Sequence, residues 1–227
     1  MPQRFTIQSE NSRFTDPRTG TQQHGRFISR AIDAFYHSDY LGGNTEQRQR
    51  IGTVENIICT LKNQFNNTNE DVLRQATMDL SQILNTDLPH ILRTTGRNNL
   101  TVCVVPRAKA ENFYFRNQML FRQTISDVTN RLNGFINGTT YIIRHTNTIT
   151  THLFQRGYGG DGHLPYPGIT AETCTISDSV IGQDILLIDD LYTKSINIDE
   201  DCIQALLDKG AHSVIFYAVG KTVPRVY

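Results

Sequence analysis

The run from Asp184 to Thr193 constrains the fold more than any other part of the chain, because two adjacent carboxylates end a short apolar segment there. Four apolar residues, 185–188, precede Asp189 and Asp190, and a helical pattern follows over residues 199–209. An apolar run this short and rich in branched side chains predicts a buried parallel strand. Ligands of open α/β sheets bind beyond the carboxyl ends of such strands, so the acid pair is predicted to line a binding site.

The polar loop between this strand and the following helix is predicted to bind a phosphate. It consists of Thr193, Lys194, Ser195, Ile196 and Asn197. Free backbone N–H groups at a helix start, together with hydroxyl groups and a lysine, favour an anion. Carboxylates suited to sugar hydroxyls or a metal ion therefore stand beside a phosphate cradle. The alternative for the acid pair alone is a strand end with solvated carboxylates, or another doubly wound site such as a receiver domain.

A second apolar run, residues 100–105, is also predicted to be a strand, and a basic loop follows it. The loop and its continuation carry Arg107, Lys109 and Arg116 ahead of a helical pattern over residues 121–132. Arginine side chains bind phosphate oxygens in pairs, so these cations are candidates for a phosphate-rich ligand. The alternative for each of them is a solvated surface cation.

Together the two segments resemble the type I phosphoribosyltransferases, and within them the ComF and amidophosphoribosyltransferase-like branch. The resemblance covers about residues 100–222. It implies that Asp189 and Asp190 bind the ribose hydroxyls of phosphoribosyl diphosphate with Mg²⁺ nearby, and that residues 193–197 bind its 5′-phosphate. It further implies diphosphate binding by Arg107, Lys109 and Arg116. Asp189, Asp190 and Arg107 are the catalytic candidates.

The resemblance implies an α/β fold with a mostly parallel sheet of the type I phosphoribosyltransferase kind, and the sequence pattern before it predicts an N-terminal helical portion. Residues 99–227 are then the phosphoribosyltransferase-like domain, and residues 1–98 are an arm and helical subdomain that can serve as a hood. Amphipathic stretches near residues 27–35, 51–65 and 72–83 predict three helices there, the third ending at Thr86–Pro89. The implied activity is Mg²⁺-dependent transfer of ribose 5-phosphate to a nitrogen acceptor, which the sequence does not identify.

A long polar passage, residues 145–182, separates the two halves of the predicted site. Passages of this length inside a compact domain are functional lids or disordered segments, and the glycines near its centre predict a mobile lid. His152, Arg156 and His163 lie in it; they are candidates for a direct role in the chemistry, and the alternative is that they are solvated loop residues. If the passage is a mobile lid, we expect trypsin to cleave first at Arg156, and we expect phosphoribosyl diphosphate with Mg²⁺ to slow that cleavage.

The altered phosphate loop favours a second hypothesis, a non-catalytic phosphoribosyl- or nucleotide-binding module in DNA handling or regulation. Lys194, Ser195 and Asn197 stand where the family has a threonine- and glycine-rich loop. Serine in place of glycine limits close approach of the backbone to a phosphate. A third hypothesis is an effector in a bacterial antiviral defence system such as a retron, which neighbouring genes would reveal.

Charge and cysteine content narrow the choice of partners and compartment. Residues 101–150 carry six Lys/Arg against two Asp/Glu, residues 151–227 carry five against ten, and the whole chain has zero formal net charge. A neutral chain argues against a broad nucleic-acid footprint but leaves room for a local basic strip. Four dispersed cysteines and the absence of a leader-like start predict a cytoplasmic protein without a membrane segment. The sequence does not indicate the oligomeric state.

Overall fold

The described strands and helices are organised about one central sheet. The structure, a computed structural model, describes residues 1–9, 11–15, 22–26, 28–42, 45–148, 168–170, 173–194 and 197–223. The strands are β1 (Gln3–Ile7), β2 (Asn11–Thr15), β3 (Gln22–Arg26), β4 (Ile32–Tyr40), β5 (Leu100–Val104), β6 (Phe135–Asn137), β7 (Ile142–Arg144), β8 (Cys174–Ile176), β9 (Asp184–Tyr192) and β10 (Ser213–Thr222). The α-helices are α1 (Thr45–Gln49), α2 (Val54–Lys62), α3 (Glu70–Thr95), α4 (Leu120–Thr129) and α5 (Ile198–Asp208).

The central sheet has six strands in the order β1-β4-β10-β9-β5-β6. Strands β4, β10, β9, β5 and β6 are mutually parallel, and β1 pairs antiparallel with β4 at one edge. Strand β5 is buried along its whole length, as expected for a parallel strand that helices cover on both faces. The prediction of an α/β protein with a mostly parallel sheet is therefore confirmed. Two small antiparallel ribbons, β2-β3 and β7-β8, lie outside this sheet.

Helices pack on both faces of the sheet and form two apolar cores. One core joins Cys202, Ile203 and Leu206 of α5 to one face of β9 and β10. The other joins α2, α3 and α4 to the opposite face, with Leu186 and Ile188 of β9 among its members. Alternate residues of β9 thus face different cores, because successive side chains of a strand point to opposite sides.

The first of the three predicted N-terminal helices is wrong, because residues 32–40 form strand β4. Ala34, Phe35 and Tyr36 are consecutive and all buried, since β4 lies between β1 and β10 with a core on each face. A short apolar run buried on both faces cannot be distinguished from a buried helix by its periodicity. Residues 1–98 therefore supply strands β1 and β4 to the central sheet, in addition to helices α2 and α3.

The predicted end of the third helix at Pro89 is also wrong, because α3 continues to Thr95. A proline inside a helix removes one backbone hydrogen bond, here the bond to the carbonyl group of the exposed Asn85. Leu84, Leu88 and Ile91 are fully buried against the sheet, and their burial offsets that loss. The helix ends at Gly96, which adopts a left-handed conformation with φ of 65°.

Asp184, at the start of β9, joins two neighbouring segments and predicts an acid-sensitive contribution to stability. It accepts hydrogen bonds from His212 Nδ1 at 2.8 Å and Ser213 Oγ at 2.5 Å, and pairs with Arg97 at 3.0 Å. Burial alone would raise its pKa, but the hydrogen bonds from Ser213 and His212 and the charge of Arg97 together lower it. The ionised form is thus favoured in the folded protein, and its contribution is lost as the pH falls through the lowered pKa.

We therefore expect Asp184→Asn to lower the free energy of unfolding at pH 7 by about 1.5–3 kcal/mol, the usual contribution of hydrogen bonds to a charged group. The difference between variant and wild type should shrink as the pH falls below about 4, where the carboxyl group is protonated in the unfolded chain. Urea unfolding at several pH values measures it. Asp33→Asn, which removes the exposed Arg4–Asp33 pair, is the control and should change little. A constant difference across the pH range would contradict the prediction.

Within the described residues, no helix combines the length and apolar character that crossing a membrane requires.

Candidate active site

The candidate site lies where the direction of strand succession reverses between β5 and β9. These strands are neighbours in the sheet, with Val104 paired with Ile188. The helix that follows β5, α4, packs on one face, and the helix that follows β9, α5, packs on the other. The two loops after the strands therefore diverge and leave a crevice, which is the usual ligand site of open α/β sheets.

A pocket of about 460 Å³ fills this crevice. Its wall includes residues from α2 and the turn after it, from the loop after β5, and from the carboxyl end of β9. Its charged members are Lys62, Arg107, Lys109, Arg144, Asp189, Asp190 and Asp199. The structure thus brings together the acid pair and two of the three predicted cations, although about 80 residues separate them in sequence. The carboxyl ends of neighbouring parallel strands meet at one edge of the sheet, which explains the juxtaposition.

Asp189 and Asp190 are both half-buried on the pocket wall, near the carboxyl end of β9, which ends at Tyr192. The Asp190 backbone N–H donates to Asp189 Oδ1 at 2.7 Å. Burial raises the pKa of Asp189 to about 7, and the adjacent charge of Asp190 adds to the rise. Asp190 instead forms an ion pair with Lys62, whose Nζ lies 3.2 Å from Oδ1. The two acids therefore differ in environment although they are adjacent in sequence.

Asp199, which the sequence did not mark as a site residue, extends the acid pair. It lies in the first turn of α5, is 4% exposed, and is hydrogen-bonded to Asp189. Its Oδ1 atom has no hydrogen-bond partner in the part of the chain that the structure describes. Burial raises the pKa of Asp199 well above its usual range, and the Asp189 carboxylate raises it further. Both effects favour the protonated form of Asp199, which can donate a hydrogen bond to Asp189 and orient it.

Lys62 is the second site residue that the sequence did not reveal, and it comes from the last turn of α2. Burial alone would lower its pKa, but Asp190 and Asp189 outweigh this and raise it. Arg107 donates to the Lys62 carbonyl group at 2.9 Å, and Gln118 donates to the Asn63 carbonyl group at 3.0 Å. Arg107 thus satisfies a carbonyl group that the helix end leaves without a partner, and Gln118 adds a second donor to the Asn63 carbonyl group, which also accepts from the Asn66 N–H. The two side chains also hold Lys62 against the acid pair.

Of the three predicted diphosphate-binding cations, Arg107 and Lys109 line the pocket and Arg116 does not. Arg107 stacks its guanidinium group 4.4 Å from the centre of the Tyr114 ring and donates to the Gln118 carbonyl group at 2.5 Å. These contacts and the bond to Lys62 give Arg107 a structural role beside any role with a ligand. Arg116 is exposed and lies outside the pocket wall.

Arg144, at the end of β7, is a buried cation that the sequence marked only as part of a strand. It is almost fully buried and lines the pocket. Its Nε donates to the Arg107 carbonyl group at 2.7 Å, and its guanidinium group also donates to the Gly168 carbonyl group at 3.3 Å. Burial lowers its pKa. Arg144 therefore holds the backbone of the basic loop at Arg107 and adds a buried positive charge next to that loop.

The predicted phosphate loop is only partly within the described residues, because Ser195 and Ile196 lie outside them. Thr193 lines the pocket, and its hydroxyl group lies 2.7 Å from that of Thr222. Lys194 is exposed, and Asn197 adopts a left-handed conformation with φ of 58° just before α5. Neither of these two residues is part of the pocket wall.

Part of the predicted lid, residues 145–182, is ordered structure that contacts the basic loop. Thr148 donates to the Ala108 carbonyl group from its backbone at 2.7 Å and from its hydroxyl group at 2.9 Å. Strand β8 pairs antiparallel with β7, so this end of the passage belongs to a ribbon. His152, Arg156 and His163, and with them the expected trypsin site, lie outside the described residues.

Searches against protein-family models and against curated proteins gave no match for this chain. The fold and the site define an α/β protein of the open-sheet class, with an acid pair and a basic loop in one pocket between neighbouring strands.

Proposed function

We propose that the protein is a Mg²⁺-dependent phosphoribosyltransferase-like enzyme that binds phosphoribosyl diphosphate and transfers ribose 5-phosphate to a nitrogen acceptor. One observation carries the proposal: Asp189 and Asp190, at the end of β9, share a pocket with Arg107 and Lys109, which follow the neighbouring strand β5. A ligand whose vicinal hydroxyl groups stand next to a diphosphate suits a pocket in which acidic and basic groups are neighbours.

The acidic side of the pocket suits the sugar of such a ligand. Asp189 and Asp190 accept hydrogen bonds from the ribose hydroxyl groups. As the bond to the diphosphate breaks, positive charge builds on the anomeric carbon, and fixed carboxylates stabilise it. The hydrogen bond from Asp199 orients Asp189 for this contact.

The basic side suits the leaving diphosphate. Lys109 and the remaining donors of Arg107 face the pocket, and the buried Arg144 adds charge behind them. Fixed positive charge stabilises the negative charge that builds on the departing group. Lys62 pairs with Asp190 in the absence of ligand and lies between the two sides, so its ammonium group can turn to the diphosphate when a cation takes its place.

The residues present fit Mg²⁺ bound through the substrate. Mg²⁺ is commonly held by one or two carboxylates together with substrate phosphates and water. Asp189 and Asp190 are the carboxylates that would hold it, and among the described residues no group of three or more potential metal-ligating side chains occurs. When bound, the ion would neutralise charge on the diphosphate.

The test is incubation of the protein with phosphoribosyl diphosphate, Mg²⁺ and a mixture of nucleobases and amines, followed by measurement of diphosphate release. Release that requires both Mg²⁺ and one acceptor supports the enzyme. The Asp189→Asn/Asp190→Asn protein is the matched control and should release none.

Lys194 separates a phosphate loop from a passive turn. If its exposed ammonium group binds the 5′-phosphate, Lys194→Ala should weaken ligands bearing that phosphate by about 1.5–3 kcal/mol, as for hydrogen bonds to charged groups. Binding of the corresponding unphosphorylated nucleoside should change little. Calorimetry with a nucleoside and its 5′-monophosphate measures the difference. Equal losses for both ligands would place Lys194 away from the phosphate.

A second candidate is a non-catalytic module that binds a phosphoribosyl compound or a nucleotide. Two contacts favour it: Arg107 is held by backbone carbonyl groups and by the Tyr114 ring, and Asp190 is paired with Lys62. Both leave fewer free charges for a reacting ligand. Tight binding of phosphoribosyl diphosphate without diphosphate release, in the presence of all acceptors tested, would favour this module over the enzyme.

A further inference from the structure

Three phenylalanine rings line the mouth of the pocket and remain largely exposed. Phe65 is 81% exposed, Phe113 is 55% exposed and Phe115 is 65% exposed. A phenylalanine side chain offers about 200 Å² of surface, so together they present on the order of 400 Å² of apolar area. In the described part of the chain, none of the three contacts another aromatic ring. All three rings line the same pocket, and exposed apolar patches of this order are often functional.

The rings are held by a rigid scaffold, so their exposure is built into the fold. Between Phe113 and Phe115, the Tyr114 ring points inward, where it stacks under Arg107 and its hydroxyl group accepts from the Lys109 backbone N–H at 3.0 Å. Gln118 accepts from the Phe115 backbone N–H at 3.1 Å through Oε1.

The same glutamine links this segment to the turn that carries Phe65. Its amide nitrogen donates to the Asn63 carbonyl group at 3.0 Å. Gln118 is itself buried, and its bonds fix the backbone of the two segments relative to each other. The surface formed by Phe65, Phe113 and Phe115 is called the aromatic rim below.

Cationic side chains lie among the residues of the aromatic rim, although Lys62 pairs with Asp190 and Arg107 is held by backbone carbonyl groups. The two segments that form it, residues 62–66 and 107–122, carry five Lys/Arg and one Asp/Glu. Arg116 follows directly after Phe115 and is exposed, although it lies outside the pocket wall. The single acid, Glu111, forms an ion pair with Arg122. Open aromatic faces interleaved with cations are the features by which proteins hold single-stranded nucleic acid.

We propose that the aromatic rim binds single-stranded nucleic acid, with bases stacked on Phe65, Phe113 and Phe115 and the backbone phosphates near Arg116 and Lys109. The bases of a duplex are paired and stacked on each other, so their faces are not accessible to these rings. A chain of zero net charge likewise lacks the broad basic face that a duplex requires. Three rings that do not touch one another suit successive bases of a strand better than one small molecule.

The experiment is fluorescence anisotropy with a labelled 20-nucleotide single strand of DNA, the same RNA sequence, and the corresponding duplex. Single strands should bind at least tenfold more tightly than the duplex. Each of Phe65→Ala, Phe113→Ala and Phe115→Ala should weaken single-strand binding roughly tenfold, as expected for loss of one base–aromatic stack. Met78→Ala, which removes a side chain that is 59% exposed on α3 away from the pocket, is the control and should leave affinity unchanged.

Salt dependence tests the role of Arg116 separately. Each phosphate contact contributes about 0.7 to the slope of log affinity against log salt for a single strand. Arg116→Ala should lower that slope by about 0.7, whereas Arg74→Ala, in an exposed pair on α3, should not change it. An unchanged slope in Arg116→Ala would contradict the assigned phosphate contact.

The proposal does not depend on phosphoribosyl transfer, and the acid-pair variant separates the two. Asp189→Asn/Asp190→Asn protein should still bind the oligonucleotide. Wild-type protein that fails to bind single strands at 100 μM, that binds the duplex equally well, or that is unaffected by all three phenylalanine substitutions would overturn the proposal. So would a result in which these substitutions weaken only the binding of a free nucleobase, since the rim would then serve a small acceptor.

Discussion

Replacing Asp189 and Asp190 together by Asn is expected to leave the protein folded but to lower its affinity for phosphoribosyl diphosphate at least a hundredfold. Both side chains are half-buried, and Asn has nearly the same shape as Asp without its charge, so the substitutions fit the fold. Burial raises the pKa of Asp189, so its charge opposes folding and the neutral amide removes that cost. An amide still forms a hydrogen bond with a hydroxyl group, but it neither binds Mg²⁺ strongly nor stabilises positive charge on the ribose.

Calorimetry with phosphoribosyl diphosphate and Mg²⁺ measures this loss, and thermal unfolding monitors the fold. The control is Asp178→Asn/Asp208→Asn, which removes the same number of charges from exposed sites outside the pocket. Unchanged affinity in the acid-pair variant would contradict the assignment of Asp189 and Asp190 to ribose binding. Unfolding of that variant would assign the pair a structural role, because Lys62 would then have lost a partner that the fold requires.

Asp87→Ala is expected to lower the free energy of unfolding by roughly 3 kcal/mol, as for other buried polar networks that lose one member. Asp87 lies in α3 and is 0% exposed. Its Oδ2 accepts from the Tyr217 hydroxyl group at 2.9 Å and lies 2.8 Å from His37 Nδ1. The network thus joins α3 to β10 and β4. Alanine would leave the buried Tyr217 hydroxyl group without a partner, which alone costs about 1–3 kcal/mol.

Urea unfolding of Asp87→Ala and of the exposed control Asp127→Ala measures the effect. The control should lie within about 0.5 kcal/mol of wild type, as for most surface substitutions. Asp87→Asn should cost less than Asp87→Ala, because its amide oxygen still accepts from Tyr217. Equal stability of Asp87→Ala and wild type would show that water replaces the carboxylate without loss.

The core of the sheet could be predicted because its strands are short, apolar and buried on both faces. The runs at 100–105, 185–188 and 214–219 all form strands, β5, β9 and β10, and the helical pattern after the acid pair forms α5. The meeting of Asp189 with Arg107 was expected from the family resemblance, and the common edge at which parallel neighbours end explains it. The placement of Arg116 was not expected, because sequence proximity to a loop does not specify which way a side chain faces.

Elements at the margins of the sheet were harder to predict. The apolar spacing around strand β4 also fits a helix, and its position between β1 and β10 shows that it is a strand. Proline normally ends a helix, yet α3 continues past Pro89 because the residues on both sides of it are buried. In both cases tertiary packing outweighs a local preference.

The sequence by itself determined the strand-to-helix order around the acid pair and around the basic loop, and the character of its most apolar strands as buried parallel strands. These follow from local patterns, because burial on two faces and the strand-to-helix order are written in neighbouring residues. Only the tertiary structure decided that Lys62 pairs with Asp190, that Asp199 supports Asp189, and that three phenylalanine rings surround the pocket. Those contacts join residues from distant segments, and their distances depend on how the helices pack on the sheet.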